Sequence, residues 1–251
     1  MPVHSEMDPE PLLSLDGILP DNQVHVWHAH IKAWERVIKP LHNILDGEEQ
    51  ARASRFKFPA PRNQFVISRA LLRQTLGCYL GIEGRDVRFS YTANSKPQLD
   101  GNADLQFNLS HTEGVTVLAI TSKRRVGVDV ERIRENTEPL DLADRFFSRR
   151  EVEWLRSQPA SEHIPSFFNC WTAKESYVKA HGQGLSMSLG AFSVLPVAGS
   201  NRLQLRVDDD SEECDRWEMW RLDLGADIRA AIAVEGTGTR IRVGTWPSPG
   251  E

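Results

Sequence analysis

The stretch Gly127-Val128-Asp129-Val130-Glu131 alternates apolar and acidic residues with a period of two. It can form a strand only by burying the valines on one face and presenting both carboxylates on the other. Further along, Trp171-Thr172-Ala173-Lys174-Glu175-Ser176-Tyr177-Val178-Lys179 has helical spacing, with Glu175 and Lys179 on one helix face. Packing that strand against that helix brings three carboxylates and a lysine to one point.

Each segment alone has a plain reading. A strand with one solvated face often reads V-D-V-E. A Glu and a Lys four apart form a helical salt bridge contributing about 0.3–0.5 kcal/mol. Together they resemble a divalent-metal site for a phosphate ester, because magnesium takes a few carboxylates and completes its shell with water and phosphate oxygens. Asp129, Glu131 and Glu175 are the candidate metal ligands, and Lys174 and Lys179 crowd the same two turns as candidate contacts to the bound ester.

The 251 residues allow one large domain or two of about 100–150 residues, either able to bury a core. Cys78, Cys170 and Cys214 are odd in number, widely spaced and without a CxxC pair, which argues against a disulfide framework or a zinc knuckle and for the cytoplasm. A net charge of −5 does not suit binding nucleic acid through a general positive field. No apolar run is long enough to cross a bilayer, and residues 1–23 lack a signal pattern and read as a flexible arm.

The order of elements repeats. Val24–Ile31 reads as a strand, Asp46 with Glu49 as a capping box opening a helix, and residues after Pro61 to Leu80 as a second helix. Strands follow at Val87–Tyr91, Leu105–Leu109 and Val115–Ile120, with turns at 93–97 and 110–114. The second half has its strand at Gly127–Glu131, a capping box at Ser148 and Glu151, a long helix at Ile164–His181, and strands at Ala191–Leu195, Leu203–Val207, Trp217–Leu222 and Ile228–Val234. The expected division is an arm at 1–23, an α+β half at 24–124, a second at 125–242 and a tail at 243–251. A cleft between two such halves is a common ligand site, and a single chain able to complete its own cleft is expected to be a monomer.

Other motifs offer contacts for a polyanion. Ser110 and His111 end a strand where a hydroxyl and an imidazole can hold phosphate, although a turn that satisfies its own backbone explains them too. Lys96 is presented by Pro97. Arg62, Arg69 and Arg73 form a helix stripe that reads as a wet face; with Arg52 they are the bases available to hold a phosphorylated ligand. Ser110 and His111 are adjacent and no G-x-S-x-G elbow is present, so a nucleophilic triad is rejected.

Five segments, Lys96-Pro97, Phe107-Asn108-Leu109-Ser110-His111, Gly127 to Glu131, Arg145-Phe146-Phe147-Ser148 and Trp171 to Lys179, resemble in order the motifs of the Sfp-type 4′-phosphopantetheinyl transferases. The resemblance implies a pseudo-twofold fold of two similar α+β halves with the site in the cleft between them. It also implies Mg2+-dependent transfer of the arm of coenzyme A to a serine of an apo acyl or peptidyl carrier protein, releasing adenosine 3′,5′-bisphosphate. By motif position Asp129, Glu131 and Glu175 would hold the metal. Ser110, His111 and Lys96 would meet the nucleotide phosphates, Lys179 would sit beside the pyrophosphate and offer positive charge or a proton to the leaving side, and Glu175 would serve as base, directly or through water. The chain departs from the family at Glu48-Glu49-Gln50-Ala51-Arg52 and at Gln64, where bases are frequent, which leaves Arg52 and the arginine stripe to grip the 3′-phosphate. The competing functions are another magnesium phosphoryl-transfer enzyme or phosphodiesterase, an idle coenzyme A or carrier-binding module, and, least favoured by the charge, an RNA-binding domain.

Overall fold

In the computed structural model, which describes residues 7–8, 19–92, 96–101, 104–208 and 210–246, helices and strands are mixed throughout and the fold is α+β. The chain forms two units. One runs to Lys123 and resumes at Arg240; the other is Arg124–Thr239.

The first unit begins with β1 (Met7–Asp8) and β2 (Gln23–His30), then a 3-10 segment at Ile31–Val37 and helices α1 (Ile38–His42), α2 (Gly47–Ser54) and α3 (Pro59–Leu80). Strands β3 (Phe89–Tyr91), β4 (Pro97–Leu99), β5 (Leu105–Thr112) and β6 (Val115–Ser122) follow. The second unit comprises β7 (Val126–Arg132), α4 (Pro139–Phe146), α5 (Arg149–Arg156), α6 (His163–His181), β8 (Phe192–Pro196), β9 (Arg202–Val207), α7 (Ser211–Arg216), β10 (Trp217–Leu222) and β11 (Ile228–Glu235). The chain then returns to the first unit as β12 (Arg240–Thr245).

Both capping boxes close. Asp46 accepts from the Glu49 amide at 2.9 Å while Glu49 accepts from the Asp46 amide at 3.1 Å. Ser148 and Glu151 do the same at the start of α5. Each box satisfies two amides that a helix start leaves unpaired.

In the first unit the sheet order is β1-β12-β2-β6-β5. The return strand β12 pairs in parallel with β2 from Arg240 against Gln23 to Thr245 against His28, so part of the segment expected to be a C-terminal tail is the second strand of the sheet. Trp246 stacks on Trp34 with ring centroids 3.9 Å apart. Met7–Asp8, within the expected arm, adds to the β12 edge, and Leu19 is buried. The rest of the arm before Leu19, the turn residues 93–95 and the tail from 247 lie outside the described residues.

The expected turn at 110–114 is shorter than the sequence suggested. Strands β5 and β6 pair as far as Thr112 against Val115, leaving Glu113 and Gly114 to reverse the chain, and Gly114 takes the positive φ of 76° that such a turn requires. Gln64 holds this hairpin, accepting from the Gly114 amide and donating to the Val115 carbonyl. The absence of a base at position 64 thus has a structural reason.

In the second unit the sheet order is β7-β11-β10-β9-β8, and α6 packs on it. Ala173, Tyr177, Val178 and Ala180 of the helix meet Val194, Leu205, Trp217, Met219, Ala231 and Ala233 from the strands. Among the described residues no helix is long and apolar enough to cross a membrane.

Candidate active site

Strand β7 and helix α6 carry the acid cluster. Val126, Val128 and Val130 are buried, as the alternation requires. Gly127 sets how closely the helix approaches: a methyl group there would overlap the Ser176 carbonyl oxygen and the Ala180 amide nitrogen. The bare glycine lets the helix backbone lie directly on the strand, and at that separation Lys179 Nζ reaches Asp129 Oδ1 at 2.6 Å and the Val128 carbonyl at 3.4 Å.

Glu131 accepts from Arg134 at 2.9 Å. Glu175 is half-buried, and its carboxyl is pushed above the usual carboxylate range, first by burial and then by the Asp129 charge. Lys179 opposes the rise and Glu131 adds to it. Three carboxylates therefore share one electrostatic neighbourhood with the Lys179 ammonium, and Glu131 is also paired with the Arg134 guanidinium. Among the described residues no group of three such side chains closes into a ready-made metal cage. The donor set nonetheless fits magnesium. The candidate ligands are hard carboxylate oxygens, and this ion needs only one or two protein carboxylates when phosphate and water complete its shell.

Lys174 is corrected. The sequence reading placed it on the ligand, but its side chain is fully enclosed. Its ammonium donates to both oxygens of Glu151, at 2.8 and 2.6 Å, and to the Phe192 carbonyl at 2.7 Å, which uses all three of its donors. Burial pulls its pKa down while the Glu151 charge holds it up, and burial is the larger effect. Glu151, set aside in the sequence as a capping residue, has this second partner as well. A glutamate in a capping box and a lysine on the next long helix were the only signals available.

In the first unit an open cavity of about 830 Å3 is lined by Arg52, Arg55, Arg69, Phe56, Phe65 and Tyr91, among others. Arg52 stacks over the Phe65 ring at 5.0 Å. Arg55, not singled out in the sequence, adds a second exposed cation. The arginine stripe is not a wet face. Arg73 is completely buried, bonded to Glu49 and Asp46 and donating to the Val87 carbonyl at 2.9 Å, and Arg69 is bonded to Glu49. Only Arg62 of the three is exposed. Pro97 lines the same cavity and Lys96 precedes it. On β5, Ser110 is buried and His111 exposed.

Residues 125–233 match the 4′-phosphopantetheinyl transferase superfamily, and residues 25–123 match the family described as 4′-phosphopantetheinyl transferase, N-terminal. The chain belongs to this superfamily and is an enzyme of the 4′-phosphopantetheinyl transferase class. It is 35% identical over 220 residues to the 4′-phosphopantetheinyl transferase HetI of Nostoc sp., covering 86% of this chain and 90% of that one. To the 4′-phosphopantetheinyl transferase Sfp of Bacillus subtilis it is 29% identical over 172 residues, covering 68% and 75%. Among solved structures, holo-[acyl-carrier-protein] synthase of Thermotoga maritima aligns with a TM-score of 0.36 and 21% identity, over 45% of this chain and 62% of that one.

Proposed function

We propose that the protein transfers the 4′-phosphopantetheine arm of coenzyme A to a serine hydroxyl of an apo acyl or peptidyl carrier protein, such as those of polyketide, nonribosomal peptide or fatty acid synthesis. The observation that carries this reading is the cluster of Asp129, Glu131 and Glu175 around Lys179, with the ammonium 2.6 Å from Asp129. Three hard carboxylates gathered beside an ammonium suit a magnesium pyrophosphate.

Asp129, Glu131 and Glu175 would hold the magnesium ion, which when bound would screen the pyrophosphate charge and make the bisphosphate a better leaving group. The work of the chain itself is positioning and charge compensation. The carrier serine oxygen forms a bond to the phosphorus bearing the pantetheine. The bond from that phosphorus to the bridging oxygen breaks, and adenosine 3′,5′-bisphosphate leaves. The serine proton passes to Glu175, the carboxylate proposed as general base. Lys179 stabilises charge on the leaving side. Arg52 and Arg55, the exposed cations of the first-unit cavity, and Lys96, Ser110 and His111 are proposed as phosphate contacts.

The test is the intact mass of an apo carrier protein after incubation with this protein, coenzyme A and magnesium, beside a control with chelator. The expected result is a gain of one phosphopantetheine arm that chelator abolishes. No gain across several carrier classes would overturn the reading.

A further inference from the structure

Lys174 and Glu151 form a pair that the proposed chemistry does not touch, and their surroundings are complete. Both side chains have no exposed surface. Glu151 accepts from the Val194 amide at 2.8 Å, from the Ser148 amide at 3.0 Å and from the Ser148 hydroxyl at 2.8 Å, while that hydroxyl meets Ser193 Oγ at 2.8 Å. The Lys174 ammonium lies over the Phe192 ring at 4.2 Å. One lysine of α6 is thereby tied to the first turn of α5 and to β8.

Stability alone does not account for such a pair. Removing two ions from water costs about as much as their attraction returns, and well-packed apolar residues of similar volume are often equal or better. What an ion pair adds is direction: the ammonium is satisfied in one position and a hydrocarbon is not. Helix α6 turns 100° per residue, so Glu175 lies one step round from Lys174 and Lys179 about 140° round. Fixing Lys174 inward fixes the rotation of the helix, and with it where Glu175 and Lys179 stand against Asp129.

We infer that Lys174 and Glu151 are positioning residues that set the rotation of α6 and so aim Glu175 and Lys179 at the acid cluster. The inference rests on the transferase reading above. The test compares wild type with the double variant Glu151→Leu/Lys174→Met by thermal unfolding and by kcat and KM for coenzyme A. The expected variant unfolds within a few degrees of wild type, keeps KM within threefold and loses tenfold or more in kcat. A folded variant with kcat within twofold of wild type would overturn the positioning role and leave the transferase reading intact. A wild type that moves no arm would overturn both. Should the double variant not fold, Glu151→Gln removes the charge without changing shape, and is expected to cost at least fivefold in kcat at unchanged KM. Full activity of that variant would count against the inference equally.

Discussion

Helix α6 carries two lysine–carboxylate pairs little more than one turn apart, and they differ in every respect but the 2.6 Å contact. Lys174 and Glu151 are sealed, matched one to one, and bonded at every donor. Lys179 keeps 30% of its side-chain surface and faces Asp129 in a field that also contains Glu131 and Glu175. The difference separates a pair that is closed to water from one whose lysine stays partly exposed beside two further carboxylates, which is what the proposed transfer requires.

The sharpest way to break the comparison is to remove a carboxylate from the open cluster. Asp129→Ala and Glu131→Ala should each fold normally and lower metal-dependent transfer by about a thousandfold, a loss of about 4 kcal/mol in transition-state stabilisation. Intact mass of a carrier protein over time, beside circular dichroism of each variant, checks this. Full activity in both would remove the metal assignment. Gly127→Ala should be next in size, because the added methyl must drive α6 off β7. Overpacking of this kind costs about 1–3 kcal/mol. It should lower kcat by more than the fraction unfolded explains, since Lys179 loses its reach to Asp129. An alanine variant with wild-type stability and kcat would show that the close approach has no bearing on the site.

His25 sharpens the rule that the partner decides the charge. It is buried like Lys174, but its hydrogen-bond partners are neutral: Nδ1 meets the Tyr79 hydroxyl at 2.5 Å and Nε2 the Gln23 amide oxygen at 3.2 Å. Burial, with Arg242 nearby, lowers its pKa to about 4. Between that value and the ordinary 6.5 the unfolded chain binds the extra proton, so stability rises with pH across the window. It is lost as pH falls toward 4, by at most about 3 kcal/mol. Urea midpoints at pH 7 and pH 4.5 for wild type and His25→Gln should converge on a smaller pH dependence in the variant. Equal slopes would mean that His25 is not the group responsible.

What the sequence disclosed and what it hid follow from the range of the interactions. The capping boxes at Asp46 and Ser148 are local bonds between residues three apart, and the spacing that suggests them is the spacing that makes them. The alternation in β7 and the helical face carrying Glu175 and Lys179 were legible for the same reason. Strand β12 was not foreseen, because its partner β2 lies more than two hundred residues earlier. The inward turn of Lys174 was hidden too. Two lysines on one amphipathic helix look alike until packing fixes the rotation. Arg73 was read as wet because its partners Asp46 and Glu49 sit on another helix, where they already served as a cap.

The smallest expected effect separates the two lysines most directly. Lys179→Ala should leave the fold intact, because Lys179 keeps 30% of its side-chain surface and Asp129 can take water or metal in its place. Its effect falls on Glu175, whose rise in pKa Lys179 opposes. Without the ammonium Glu175 holds its proton to higher pH, so the acid limb of the kcat profile should move up, and the leaving side loses a positive charge. The expected loss is about ten- to thirtyfold in kcat, or roughly 1.4–2 kcal/mol, with KM for coenzyme A changed less than threefold. Steady-state rates across pH read both. If kcat and coenzyme A affinity fell by equal factors and the acid limb stayed in place, Lys179 would be a uniform binding contact, and the distinction between an orienting lysine and a reacting one on α6 would no longer hold.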